Sequence, residues 1–161
     1  MVSPGASGAE KRFFDIFCEL LDRGKKIYMI MPSMLANVLR TEYPDRDVCE
    51  HIIEIKMKKW SRIGFIYKFH KLLRSIDKGS RFHYPMNGLP LLHLFRGDHL
   101  TMSLTDCVLV PAPNVFKKNG FYIYIVLLFA AKIDVLTPQI YHRTMLQKRL
   151  KNKLQLTPGG T

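Results

Sequence analysis

Two short polar groups stand where ligand chemistry is expected, provided the runs before them are strands. His83 and Tyr84 close the run Ser80 to Tyr84, and Thr105-Asp106-Cys107 follows the run Leu100 to Leu104. In an open α/β sheet ligands bind beyond the carboxyl ends of the strands. That makes Asp106, with Thr105 beside it, and His83 with Tyr84 the candidate ligand-binding positions. Asp is also a common turn residue, and Asp106 capping a turn is the plain structural alternative. A third group lies at the start of the chain, where Pro4-Gly5-Ala6-Ser7-Gly8 feeds a segment with helical apolar spacing. A small-residue loop at a helix N-terminus lets backbone N–H groups face an anion. Gly5, Ser7 and Gly8 are therefore candidate phosphate contacts, against the alternative of a flexible leader before an ordinary helix.

Other chemistries lack their residues. His51, His70, His83, His93, His99 and His142 show neither HExxH nor Cys-His metal spacing, so no metal is expected. There is no Walker loop, no full GxGxxG and no Gly-x-Ser-x-Gly, which leaves serine hydrolase chemistry without an anchor. Cys18, Cys49 and Cys107 are odd in number and unpaired in spacing. Neither a disulfide framework nor a zinc site is indicated, and a reducing, cytoplasmic compartment is expected.

The elements that must position these groups alternate along the chain. Phe13, Phe14, Phe17, Leu20 and Leu21 recur at helical spacing, so Glu10 to Arg23 should be a helix stopped by Gly24, with residues 1–9 a loop. Lys26 to Met31 reads as a buried strand, and Pro32-Ser33 as the cap of a helix ended by Tyr43-Pro44-Asp45. Ile53, Ile55 and Met57 alternate as a strand does. Ser61 then caps a helix with the stripe Phe65, Ile66, Phe69, Leu72, Leu73 and Ile76. Ser80 to Tyr84 is a strand, Leu89 to Phe95 a short helix before the Arg96-Gly97-Asp98 turn, and Leu100 to Leu104 a strand; Phe121 to Phe129 reads as a core-facing helix. Ile133, Val135 and Leu136 form a strand, Thr137-Pro138 suits an N-cap and first helical position, and Leu154 and Leu156 begin another strand, which makes a βαβ unit. The fold class is α/β, a Rossmann-like three-layer domain with a mostly parallel sheet over residues 1–161 as one domain.

The hydrophobic share of 47% with 24% charged residues is ordinary globular composition. The charge is not ordinary, because 25 Lys and Arg against 13 Asp and Glu leave +12, which favours anionic partners. Arg62, Lys68, Lys71 and Arg74 share one helix, and no acidic residue lies between Glu54 and Asp77; Arg143, Lys148, Arg149 and Lys151 load another. Either cluster is explained by a solvated helix face. Two together favour phospholipid headgroups or another polyanion, with peripheral placement at an inner membrane surface. The apolar run Phe121 to Ala131 is 11 residues, short of the ~20 that span a bilayer, and the first residues carry no apolar core of a secretory signal.

Two motifs resemble one family. Ser7-Gly8-Ala9-Glu10-Lys11 resembles the Gly-Gly-Ala-Glu-Arg loop after the first strand of retaining glycosyltransferases of family four, and KIDVLTP followed by KLQLTPGGT is similar to the segment that closes their N-terminal domain. The resemblance covers nearly the whole chain in layout. It implies half of a GT-B architecture: the acceptor-side domain of an enzyme moving a hexose from a nucleotide sugar to a sugar or lipid-linked acceptor, with no cofactor besides that donor. Three departures go with it. The family's first strand has no counterpart before the leader loop, Thr105-Asp106 stands where the family often has His-Asp or His-Gly, and no donor-binding domain follows Thr161. The expectation is therefore no transfer activity from these residues alone, since catalysis needs both walls of an interdomain cleft. The competing reading is a non-catalytic basic α/β module that binds a polyanion, nucleic acid or an anionic membrane surface. No specific nucleic acid is expected, because Trp60, Tyr67 and Phe69 match no RNA-binding motif.

Overall fold

In the computed structural model the run with helical apolar spacing forms α1, Gly8–Asp22, which buries Phe14, Phe17 and Cys18. The structure describes residues 8–46, 48–57, 62–84, 90–93, 95–104, 127–145 and 150–157. It divides into two compact units, Met1–Ser75 and Ile76–Thr161. Where the alternation predicts one mostly parallel sheet, the described strands form two sheets, both parallel, in a mixed α/β fold.

In the first unit α1 is followed by β1, Met29–Pro32, α2, Ser33–Glu42, β2, Ile52–Ile55, and α3, Arg62–Leu73. β1 and β2 pair in parallel with Met29 opposite Ile52. The pairing begins at Met29, so the strand is shorter at its start than the apolar run from Lys26 implies. Of the expected cap Pro32-Ser33, Pro32 occupies the N-cap of α2 and Ser33 is its first helical residue, with no side-chain cap hydrogen bond. Met31, Ala36, Leu39, Val48 and Ile52 close a core with the buried face of α1, and the Tyr43 ring packs tilted against Phe14 with centroids 4.9 Å apart. Arg40 ties α2 to β2 through a 2.6 Å ion pair with Glu54.

Gly24 ends α1 as its position suggests. Its N–H donates to Leu21 O at 2.8 Å and the Lys25 N–H to Leu20 O at 3.0 Å, the paired bonds of a Schellman motif, with Gly24 at φ +71°. A Cβ there meets open space, so only the left-handed backbone resists substitution. Gly24→Ala is expected to cost about 1 kcal/mol in a urea unfolding experiment.

The second unit holds β3, Arg81–Tyr84, β4, His99–Leu104, β5, Lys132–Val135, α4, Pro138–Met145, and β6, Leu154–Leu156. The strands lie in the order β3-β4-β5-β6, all parallel. β5, α4 and β6 make the anticipated βαβ unit, and Thr137 caps α4, its Oγ1 accepting the Ile140 N–H at 3.3 Å. The segment expected as a short helix over Leu89 to Phe95 is a 3-10 turn at Pro90–His93, after which Phe95 and Gly97 take left-handed backbone. Of the expected helix Phe121 to Phe129, residues 127–129 are described and are helical, with Leu127 fully buried. Ser61, residues 85–89 and residues 105–126 lie outside the described residues.

Register decides the two faces of this sheet. Tyr84 opposes Met102, Met102 opposes Ile133 and Ile133 opposes Leu154, so one face is apolar. His83 opposes Thr101 and Ser103 opposes Asp134, so the other is polar. Right-handed crossovers between parallel strands laid down in a single direction all fall on one face. Leu127, Ala130, Ile140 and Leu150, which belong to those crossovers, pack on the apolar side against Met102, Leu104, Ile133 and Val135.

Candidate functional site

Because successive strand residues point to opposite faces, His83 and Tyr84 begin two separate networks. On the polar face the His83 ring reaches across to β4, with Nδ1 2.8 Å from Thr101 Oγ1 and Nε2 3.1 Å from Ser103 Oγ. Thr101 donates its own hydroxyl proton to the Phe82 carbonyl at 3.3 Å, so it accepts the His83 Nδ1–H. His83 Nε2 is then the acceptor, and Ser103 donates to it. Withdrawal of the ring from water lowers the His83 pKa, opposed by the nearby Asp134 carboxylate. That shift favours the neutral imidazole, and Ser103 beneath the ring is buried.

On the apolar face the Tyr84 hydroxyl lies 2.5 Å from His93 Nε2, and His93 Nδ1 lies 2.6 Å from Asp98 Oδ2. The carboxylate is acceptor-only, so Nδ1–H donates to it and Tyr84 donates to Nε2. Asp98 Oδ2 also accepts the Arg96 Nε–H at 2.7 Å, and Oδ1 accepts the Gly79 N–H at 3.0 Å. Arg96 reaches on to the Ile76 carbonyl at 2.9 Å. The Asp98 side chain is wholly buried and that of His93 nearly so. Burial pushes the Asp98 pKa up, but the hydrogen bonds from His93 and Arg96 and the guanidinium charge outweigh it and hold the carboxyl below its ordinary value. Burial lowers the His93 pKa, and the Asp98 carboxylate recovers only part of that shift.

Chemically, the first network offers a ligand an imidazole and hydroxyls on an open sheet face. The second resembles a hydroxyl–imidazole–carboxylate relay in its bonding, but its interior position makes it a clamp between β3, the 3-10 turn and the turn at Gly79. Comparison with protein-family models, with curated proteins and with solved structures finds no match to this chain.

Of the residues singled out in the sequence, His83 and Tyr84 lie on β3 at these networks, and the carboxyl ends of β3 and β4 stand side by side on one sheet edge. Gly8 is exposed as the first residue of α1 in the first unit. Gly5, Ser7, Thr105, Asp106 and Cys107 lie outside the described residues. Sequence reasoning missed Thr101, Ser103, His93, Asp98 and Arg96. The alternation of His99, Thr101 and Ser103 with Leu100, Met102 and Leu104 was a readable signal for a polar face; nothing local joins His93 to Tyr84 and Asp98. Among the described residues no group of three or more His, Cys, Asp and Glu converges to hold a metal ion.

Proposed function

We propose that the chain is a Rossmann-like, acceptor-side domain of a GT-B sugar transferase of the family-four type, with its acceptor sugar bound near the carboxyl ends of β3 and β4. The observation that supports this reading is the juxtaposition of parallel β3 and β4 with the His83, Thr101 and Ser103 hydrogen-bonding set on one face. A sugar hydroxyl both donates and accepts, as do these groups, so it can exchange with Ser103 or Thr101 for an imidazole nitrogen. In this reading Thr105 and Asp106, which follow β4 in the sequence, are candidate acceptor contacts, and Gly5, Ser7 and Gly8 are separate candidate phosphate contacts of the first unit. The hexose comes from a nucleotide sugar and passes to a sugar or lipid-linked acceptor with retained configuration.

The test is calorimetric titration of the full chain with methyl glucoside and methyl mannoside. Millimolar binding to one of them is expected, weakened about tenfold by His83→Ala and less by Thr101→Val, as for the loss of a hydrogen bond or two. No binding of either glycoside, or binding indifferent to both substitutions, would remove this site from the acceptor.

A further inference from the structure

The outward face of α3 carries something its charge alone does not explain. Phe69 and Leu73 turn inward, with Phe65 stacked on Phe69 at 6.0 Å. The opposite side exposes Ile63 to 80% and Tyr67 to 69%. These two are one helical turn apart and sit side by side on the surface. On the same arc lie His70 and Lys71, with Arg74 in the turn just beyond the helix, and all three are exposed. Lys68 also lies outward, its amine donating to the Lys56 carbonyl. No acidic side chain interrupts the run from Glu54 to Asp77.

We infer that this face of α3 docks on the surface of an anionic lipid bilayer, with Ile63 and Tyr67 inserted at headgroup depth and Lys71 and Arg74 paired with lipid phosphates. The two halves of the surface call for different solvents, and an anionic bilayer interface supplies both. Exposed aliphatic and aromatic groups gain by leaving water, and tyrosine suits the interface because its ring is apolar and its hydroxyl stays hydrated. Each Lys or Arg near an anionic leaflet adds attraction that salt screens. A nucleic acid backbone would satisfy the cations but leave Ile63 without a partner, and an acidic protein surface would do the same. Among the described residues no helix is long and apolar enough to cross a membrane. The inference stands independently of the sugar-binding reading, since it uses residues of the other unit.

Co-sedimentation of the full chain with vesicles tests it. One set contains phosphatidylglycerol and phosphatidylcholine in equal parts, the other phosphatidylcholine alone. Binding to the anionic vesicles and at least tenfold less to the neutral ones is expected. The paired substitution Ile63→Ser with Tyr67→Ser should lower the partition about tenfold or more, and Lys71→Glu with Arg74→Glu should abolish it. Because these side chains are exposed, both variants keep the wild-type circular dichroism spectrum; a variant that loses it is replaced by Ile63→Gln or Lys71→Gln alone. Equal binding to both vesicle types, or anionic binding untouched by loss of Ile63 and Tyr67, overturns the proposal. So does tighter binding to a single-stranded oligonucleotide that depends on Lys71 and Arg74 but not on Ile63.

Discussion

Asp98→Ala is expected to cost the second unit about 3–5 kcal/mol, the range for removing one partner of a buried charge pair. The substitution leaves three donors facing a void. His93 Nδ1–H, Arg96 Nε–H and the Gly79 N–H all converge on this carboxylate. The guanidinium loses its counter-charge while Arg96 is held at the Ile76 carbonyl, so a buried cation is left partly uncompensated. The loss should appear in hydrogen exchange as early opening of the β3 and β4 amides, and Asp98→Asn should recover part of it by retaining an acceptor. A change below 1 kcal/mol would mean that the network is incidental to the fold.

His93 and Asp98 of this network, with His83 of the polar face, contribute to the acid limb of stability. His93 and His83 titrate below their ordinary 6.5 in the folded chain, so unfolded chains take up protons first as pH falls through that value. Their contribution is complete above about pH 6.5 and is lost as pH falls towards their folded values. Asp98, also depressed, contributes fully above its ordinary 3.8 and loses that contribution as pH falls through the lower folded value. Melting temperature should therefore decline in stages on acidification. In Asp98→Ala the last stage should be missing.

Ile133→Ala is the second large effect, expected at about 2–5 kcal/mol by urea unfolding. Ile133 is fully buried on β5, between Met102 of β4 and Leu154 of β6 on the apolar face, under Leu127 and Ile140. Paired strands on both sides hold the backbone, which limits collapse into the cavity to what the neighbouring side chains can fill. Leu156 gives the internal control: it follows Leu154 on the same face of β6 but is 38% exposed, and Leu156→Ala should cost well under half as much.

What could be seen in the sequence was local. Helical spacing placed α1, Gly24 fixed its end because a left-handed cap is favourable only for a residue without a Cβ, and Thr137-Pro138 marked the start of α4 by cap chemistry. Alternation of Ile53 and Ile55 with Glu54 located β2, and the order strand, helix, strand announced parallel pairing of β5 with β6. What escaped was set by distant contacts. Apolar runs such as Lys26 to Met31 do not say which residues find a partner strand, and pairing with Ile52 selects Met29 as the first. Within the expected cap Pro32-Ser33, the N-cap itself falls on Pro32, whose fixed φ suits the entry to the helix, and no side chain caps it. The union of Tyr84, His93 and Asp98 depends on how a 3-10 turn folds back on β3, for which no periodicity exists. His83 was found from its place at a strand end, whereas its partners Thr101 and Ser103 required the register.

The acceptor reading is tested most directly by heteronuclear NMR of the full chain, titrated with methyl glucoside and methyl mannoside. Saturable shifts of the His83 ring nitrogens and of the Thr101 and Ser103 amides are predicted for one of the glycosides. Resonances of these residues that stay fixed throughout, while the sugar moves others or none, would contradict it.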